Sequence, residues 1–327
     1  MKDIFAWIET EFKPQFCTSD KFIYDDMESQ SGFSLPLIYQ PFDAAVRWHW
    51  SERGCLFDFL YTTNAEGKRV LDFGPGDGWP SLIIAPFVKE VVGLDASPKR
   101  VETCRSNAQR LGIANAEFKC YAAGGRLPFD DESFDAITAA SSVEQTPDPK
   151  QTLQELYRVL KPGGKLRFFY ESLNGYKGGQ ENELWVAGLD GGRTRLVLFD
   201  RCIEKEYVIQ YGITVAMPRK TFAGMTFKDI GREFLGNIKR YITDVSKLKT
   251  VHPSGKTYLK WLQEIGFREA VPTYGGGAAA AKLYDYYHTT ADLRDLEAVD
   301  TLIKPTVRVV SQLTAPIESD PPITAVK

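Results

Sequence analysis

A glycine-rich turn between residues 70 and 82, "VLDFGPGDGWPSL", combines residue types that can bind a cofactor. Asp72 is followed by glycines at alternate positions, Gly74, Gly76 and Gly78, and then by an apolar segment that could begin a helix. A dinucleotide-binding turn usually reads G-x-G-x-x-G, because its third glycine permits close packing of helix on strand. Trp79 occupies that third position here. Its bulk favours a ligand that lacks a pyrophosphate.

A second acidic residue follows the turn at an informative distance. The segment "VVGLDASPKRV" reads as a strand that ends in Asp95, about 20 residues beyond the turn, where a ribose-binding carboxylate is expected. The two oxygens of a carboxylate can accept hydrogen bonds from both ribose hydroxyls. The alternative for Asp95 is an acid at a helix entry. For Asp72 the alternatives are contact with the ligand and a hydrogen-bond acceptor that shapes the loop.

Residues 69–171 alternate short apolar runs with helical patterns, which predicts a parallel α/β sheet. The expected strands are "RVLDF", "EVVGLD", "AEFKCY", "FDAITAA" and "KLRFFY". Helices are expected at 78–87, 98–111 and 148–160, the last one closed by "PGG". These elements predict a doubly wound core whose strands end near the turn.

The turn and three further segments together resemble the class I S-adenosylmethionine-dependent methyltransferases, in their small-molecule (methyltransferase type 11, UbiE-like) branch. Those segments are "VVGLDASPKRV", "LPFDDESFDAI" and "ELYRVLKPGGKL", in the family's order. The resemblance implies S-adenosylmethionine as cofactor and S-adenosylhomocysteine as product. The cofactor-binding residues that it implies are Asp72, Phe73, Gly74, Pro75, Gly76, Gly78, Asp95, Ala96, Ala122, Ala123 and Ser141.

The sequence departs from that family at two places. Many relatives carry an acidic residue before "LPF" that contacts the adenine amino group, but "CYAAGGR" has no carboxylate, so adenine recognition is expected to use backbone groups of Ala122 and Ala123. The residue after Glu144 is often histidine in this branch and is Gln145 here, so that candidate base is absent.

Methyl transfer from a sulfonium is an in-line displacement, which needs positioning and exclusion of water but no metal and no covalent intermediate. A base helps when the acceptor is a hydroxyl or a protonated amine. The candidates are Glu144, Tyr170 and Glu171, at the ends of the fourth and fifth strands, and His49. Each could instead be an ordinary polar or structural residue. Similar enzymes close an N-terminal segment over the cofactor, and Tyr24 and Tyr39 are expected to line it.

Beyond residue 172 the alternation stops. "LDGGRTRLVLF" reads as a hairpin turn between apolar runs, "TFKDIGREFLGNIKRYI" as an amphipathic helix with a capping box, and "EAVPTY" and "AKLYDYY" as two last strands. The expected fold is α/β: a doubly wound, Rossmann-like seven-stranded sheet with a helical N-terminal cap and a β-rich plus helical insertion after strand five. The predicted regions are a cap at 1–66, a core at 67–172, an insertion at 173–250, the rest of the core at 251–290 and a tail, partly disordered, at 291–327.

Composition restricts the partners. The net charge of −3 and pI near 5.8 give no indication of a nucleic-acid partner. Five scattered cysteines without C-x-x-C spacing predict free thiols and no metal site, and the absence of a leader or an apolar span predicts a soluble, cytoplasmic protein. Residues 217–249 contain eight Lys and Arg and three acidic residues, so this segment is positively charged. Three interpretations are open: a solvated helix face, a surface that attracts an acidic substrate, and a surface that contacts an anionic membrane.

The sequence therefore predicts a methyltransferase that acts on a small-molecule acceptor, with homo-oligomerisation left open. The alternatives are a protein or RNA methyltransferase, a non-catalytic protein that binds S-adenosylmethionine or S-adenosylhomocysteine as a scaffold, and, least favoured because of Trp79, a nicotinamide dehydrogenase.

Overall fold

A computed structural model describes residues 2–27, 42–176, 182–289, 293 and 295–327. Its α-helices are α1 (Lys2–Phe12), α2 (Arg47–Thr63), α3 (Ser81–Ile84), α4 (Pro98–Arg110), α5 (Pro149–Val159), α6 (Arg232–Ile238), α7 (Gly255–Ile265), α8 (Gly276–Tyr287) and α9 (Leu296–Val310). Its strands are β1 (Gln15–Phe16), β2 (Arg69–Phe73), β3 (Glu90–Asp95), β4 (Ala116–Cys120), β5 (Phe134–Ala140), β6 (Leu160–Phe169), β7 (Asn182–Leu189), β8 (Arg193–Cys202), β9 (Tyr207–Val215), β10 (Ile242–Val251), β11 (Glu269–Pro272) and β12 (Ile323–Val326).

The chain divides into two compact units. The insertion unit comprises Met1–Gln30, Glu144–Pro147 and Ser172–Ser254, and the α/β unit comprises Ser31–Val143, Asp148–Glu171 and Gly255–Lys327. The structure thus divides the predicted N-terminal cap, because α1 belongs to the insertion unit and α2 to the α/β unit.

The α/β unit is built on a seven-stranded sheet in the order β11-β12-β6-β5-β2-β3-β4. The pairs from β6 to β4 are parallel, and β12 runs antiparallel to both of its neighbours. Apolar side chains cover both faces: Leu71 and Phe73 pack in a cluster with α5 and α7, while Val70 packs in a second cluster with α2, α8 and α9. The α/β fold with its parallel strands is therefore confirmed.

Local signals start α4 and α5 where the sequence predicts, whereas the helix expected at 78–87 begins only at Ser81, as α3. Ser97 accepts a hydrogen bond from the backbone N–H of Arg100 and caps α4, and Asp148 accepts one from Gln151 and caps α5. In both helices a proline follows the cap, at a position where its missing N–H costs no hydrogen bond. The five strands expected between 69 and 171 are all present.

The prediction of the last strand was wrong. "AKLYDYY" lies in α8, where the preceding run of alanines favours a helix, and the strand that completes the sheet is β12, from the expected tail. Residues 323–326 pair with both β6 and β11, which buries Ile323 and Ala325 completely. The tail also forms α9, so the described part of 291–327 belongs to the core of this unit.

The insertion unit contains a five-stranded sheet in the order β1-β10-β9-β8-β7, antiparallel except for the β1–β10 pair. The predicted hairpin joins β7 to β8 through Gly191 and Gly192, both at positive φ. The capping box at Thr226 is present, but the expected helix is interrupted. Gly231 is extended, α6 begins after it, and Ile242 already starts β10.

None of the described helices is long and apolar enough to cross a membrane. All five cysteines are free.

Candidate functional site

The glycine turn lies where the strand order of the α/β sheet reverses. From the central neighbours β2 and β5, the chain continues to β3 on one side and to β6 on the other. In open parallel sheets, ligands bind outside the carboxyl ends of the strands at such a switch point. The turn follows the carboxyl end of β2 directly.

The three glycines of the turn differ in the space around them, although all have positive φ values of 75°, 58° and 114°. A Cβ on Gly74 would lie 2.3 Å from the Cβ of Ser142, and one on Gly78 would lie 2.5 Å from a methyl carbon of Leu82. A Cβ on Gly76 would have no atom within 4 Å. Gly74 and Gly78 are therefore required by the packing of the protein itself, whereas the space beside the Cα of Gly76 is open, so a ligand can approach the backbone there.

Asp95 lies beside this open glycine. Its Oδ2 accepts a hydrogen bond from the backbone N–H of Gly76 at 3.2 Å, and its Oδ1 accepts one from Ser97 at 2.9 Å. Burial raises the pKa of Asp95, and the two backbone donors oppose that rise. A carboxylate has about four lone-pair positions, so it can accept hydroxyl donors of a ribose in addition to these two contacts.

Asp72 is fully buried, and protein donors contact both of its oxygens. Oδ2 accepts hydrogen bonds from the backbone N–H of Ser81, at 2.9 Å, and from the Ser81 hydroxyl, while Oδ1 accepts one from the Thr138 hydroxyl at 3.2 Å. Burial raises the pKa of Asp72 to about 7, against these hydrogen bonds. In this structure Asp72 joins the turn to the start of α3 and to β5, as the loop-shaping alternative requires.

The other residues predicted to bind cofactor lie on the loops around the turn. The backbone carbonyls of Phe73 and Pro75 accept hydrogen bonds from the Ser142 hydroxyl and from the Gly78 N–H. Ala96 follows β3, and Ser141 follows β5 at a φ of 50°, donating its N–H to the Phe169 carbonyl. Ala122 and Ala123 follow β4, and the Ala122 carbonyl already accepts the N–H of Gly125.

The residues predicted as bases have different surroundings. His49 is buried in the first turn of α2, and its Nδ1 accepts the backbone N–H of Asp43, so it acts there as a structural acceptor. Tyr170 packs its ring against Phe168 and Tyr258, and burial raises the pKa of its hydroxyl, which opposes a role as base.

The two glutamates follow their strands as predicted. Glu144 lies in the 3₁₀ turn Val143–Gln145, with its side chain fully buried, and is part of the insertion unit. Glu171 is exposed and comes two residues after the end of β6 in the α/β unit.

Of the two tyrosines expected to line the cofactor, Tyr24 ends the π-helix Asp20–Tyr24 of the insertion unit and is partly buried against an apolar cluster that includes Phe22 and Leu248. Tyr39 lies outside the described residues. Of the other histidines, His252 is buried next to Thr250, and His288 ends α8 rather than lying in a strand.

Sequence reasoning missed several side chains that hold the turn: Ser81, Thr138, Ser142, Cys104 and Asn107. A signal was available for Ser81, because a hydroxyl just after a cofactor turn can pair with the acid before it. Cys104 and Asn107 lie in the middle of α4, and only the packing of that helix against the turn shows their contacts.

Comparison with known proteins identifies the central part of the chain. A family model described as "Methyltransferase domain" matches residues 71–168. The chain is 40% identical over 97 residues to the uncharacterized methyltransferase YcgJ of Bacillus subtilis (strain 168), which is 30% of this chain and 38% of that protein. It is 41% identical over 101 residues to the demethylmenaquinone methyltransferase of Clavibacter sepedonicus, 31% of this chain and 40% of that protein. The chain thus spans about two fifths of the length of these relatives.

A solved structure resembles almost the whole chain. The CcbJ methyltransferase from Streptomyces caelestis aligns over 93% of this chain and 96% of its own, with a TM-score of 0.51 and 13% sequence identity. At that identity the likeness concerns the fold alone.

Proposed function

We propose that this chain, whose residues 71–168 form a methyltransferase domain of the S-adenosylmethionine-dependent class, transfers a methyl group to a small-molecule acceptor. The family and its cofactor, predicted from four segments of the sequence, are confirmed for this domain. The proposal for the whole chain depends chiefly on one observation: the open backbone at Gly76 lies beside the carboxylate of Asp95 at the switch point of the sheet.

The residues around the turn fit a ligand that carries ribose and positive charge. Asp77 lies within the turn and Asp95 beside it, with Arg100 close enough to act on both. Carboxylates attract a sulfonium or an ammonium group and would repel a pyrophosphate. This charge pattern favours S-adenosylmethionine over a dinucleotide, in agreement with the bulky Trp79 in the place of a third glycine.

When bound, S-adenosylmethionine supplies a methyl group activated by its positive sulfur. In this proposal Asp95 binds the ribose, and the ligand approaches the backbone closely at Gly76. The loops at Ala96, Ala122, Ala123 and Ser141 contact the rest of the cofactor. Their contribution to rate is to fix the donor and exclude water, since an in-line displacement gains most from positioning.

Glu144 and Glu171 are the proposed bases for an acceptor that must lose a proton, because both follow strands that end at this side of the sheet. His49 is not part of this proposal, since its Nδ1 accepts the backbone N–H of Asp43, and neither is Tyr170, since burial raises the pKa of its hydroxyl. The proposed linings by Tyr24 and Tyr39 stay predictions.

A small molecule is proposed as acceptor partly because the name of one relative, demethylmenaquinone methyltransferase, specifies such a substrate for that protein. Net charge of −3 gives no support for an RNA acceptor. A non-catalytic scaffold is disfavoured, because the family model and the relatives that match the central part of the chain are described as methyltransferases.

Calorimetric titration of the purified protein, freed of bound ligand, with S-adenosylmethionine, S-adenosylhomocysteine and NAD tests the cofactor site. We expect micromolar binding of the first two and none of NAD. Binding of NAD alone would refute the proposal.

Transfer of a labelled methyl group in cell extracts then separates the alternatives. Label in the fraction of low molecular mass supports the proposed acceptor class. Label only in protein or RNA would refute it, and binding without transfer in any extract would favour the scaffold.

A further inference from the structure

Helix α4 contacts the cofactor turn through two buried polar side chains that the proposed function does not use. The thiol of Cys104 donates to the backbone carbonyl of Gly76 at 3.3 Å, and Nδ2 of Asn107 donates to the carbonyl of Asp77 at 2.8 Å. Cys104 is 0% exposed and Asn107 is 2% exposed. The two residues are three positions apart, so they lie on the same face of the helix.

The same helix is tied to the proposed ribose acceptor. Asp95 accepts the N–H of Ser97, and Ser97 is the N-cap of α4. Asp95 also accepts the N–H of Gly76. The peptide groups at Gly76 and Asp77 are therefore held between Asp95, at the entry of α4, and the side chains of Cys104 and Asn107, about two and three turns further along that helix.

These contacts fix the orientation of the turn. A trans peptide unit is planar, with its C=O and N–H pointing in opposite directions. Because the Gly76 carbonyl points to Cys104, the N–H of Asp77 in the same peptide unit is turned away from α4. The contacts thus decide which edge of this peptide unit faces the helix and which is turned away from it.

Packing holds α4 firmly enough for this role. Val101, Cys104 and Ala108 are buried in one apolar cluster with Leu82 and Phe118. Oδ1 of Asn107 accepts a hydrogen bond from Arg110 at 3.0 Å, so both ends of the amide group are oriented. An amide held at both ends loses little further freedom when it contacts the turn.

We propose that Asn107, supported by Cys104, is a positioning residue for S-adenosylmethionine: it acts through the turn, without touching the ligand, to hold Gly76 and Asp77 in their binding conformation. This inference rests on the proposed cofactor site. Removing the Asn107 amide should lower the affinity of the protein for S-adenosylmethionine and for S-adenosylhomocysteine alike, because both would contact the same turn.

The test is calorimetric measurement of Kd for S-adenosylmethionine and S-adenosylhomocysteine in four variants. Asn107→Ala should raise both values about three- to tenfold, the effect of one net hydrogen bond. Arg110→Met is the matched control, since it removes the other partner of Asn107 and leaves the contact with Asp77; its Kd should rise by a smaller factor than that of Asn107→Ala. Cys104→Ala should raise Kd by a smaller factor, and Cys104→Ser, which keeps a donor, should restore it.

The outcomes separate this inference from the function on which it rests. Wild-type protein that binds neither ligand overturns both. Tight wild-type binding together with unchanged Kd values in Asn107→Ala, or an equal loss in Arg110→Met, overturns the positioning role alone. If Asn107→Ala does not fold, as judged by circular dichroism, the Cys104 pair decides: a loss in the alanine variant that serine does not rescue contradicts the proposal.

Discussion

Replacement of Asp95 by alanine is the change that most directly tests the proposed cofactor site. In the structure its carboxylate accepts two backbone N–H groups and lies next to the open glycine of the turn. Asp95→Ala should weaken binding of S-adenosylmethionine by about 1.5 to 3 kcal/mol, the range for hydrogen bonds to a charged group. This corresponds to an increase in Kd of about 10- to 150-fold.

Asp95→Asn separates the parts of that loss. Asparagine keeps one oxygen that can accept the Gly76 N–H, so the turn should hold its shape while the charge and half of the acceptor capacity disappear. The Kd of this variant should lie between those of the wild type and Asp95→Ala. If the Kd of Asp95→Asn rises as much as that of Asp95→Ala, the loss of affinity is due to the missing charge and not to a changed shape of the turn.

Glu102→Ala is the matched control, because it removes the same charge from an exposed position on α4. Calorimetry at constant salt gives Kd for all three variants, and thermal unfolding without ligand verifies that each is folded. An unchanged Kd in Asp95→Ala would refute the assignment of Asp95 to the ribose. If Glu102→Ala loses as much affinity for S-adenosylmethionine as Asp95→Ala, the loss is due to long-range electrostatics and not to a contact with the ribose.

Three further predictions concern the core around the site. The folded-state pKa of Asp72 is raised to about 7, so between about pH 4 and 7 the folded protein holds a proton that the unfolded chain releases. The free energy of unfolding should therefore fall as pH rises through this window, by up to about 1.4 kcal/mol per pH unit. Urea unfolding at pH 5 and 8 should show this difference in the wild type and not in Asp72→Asn. Arg167→Met should lower the free energy of unfolding by about 3 to 5 kcal/mol, because it leaves the fully buried carboxylate of Asp58 without its cation. The additional change Asp58→Asn should recover part of this loss. A decrease below about 1 kcal/mol in chemical denaturation would contradict the argument. Gly74→Ala should cost far more stability than Gly163→Ala, because both have a φ near 75° but only the first would collide with a neighbour, and equal thermal midpoints in the two variants would refute the role given to that contact.

The sequence alone determined the central α/β segment and the chemistry of its turn. The strands from β2 to β6 are short apolar runs, β2 ends just before Gly74 and β3 ends in Asp95, and α4 and α5 carry their own caps, so these elements are specified by neighbouring residues. The glycine spacing and Asp95 could be recognised for the same reason, since a strand–turn–helix unit places them together through local geometry.

Only the tertiary structure decided which segment completes the sheet. The residues of β12 are few and follow two prolines, so their pattern reads as a tail until β6 and β11 supply hydrogen-bond partners on both sides. The aromatic residues of "AKLYDYY" predict a strand, but the helix propensity of the neighbouring alanines prevails and the segment lies in α8.

The same distinction holds within the candidate site. The types of Asp72, Tyr170 and His49 made each a candidate for chemistry. The hydrogen bond of Asp72 with Thr138 and the packing of Tyr170 on Tyr258 depend on residues distant in sequence, whereas His49 accepts the N–H of the nearby Asp43. Asn107 and Cys104 carried no signal in the sequence, because a polar residue in mid-helix has a partner only when another segment packs against it. Local sequence thus determined the turn that can hold a cofactor, and long-range packing decided which side chains hold the turn.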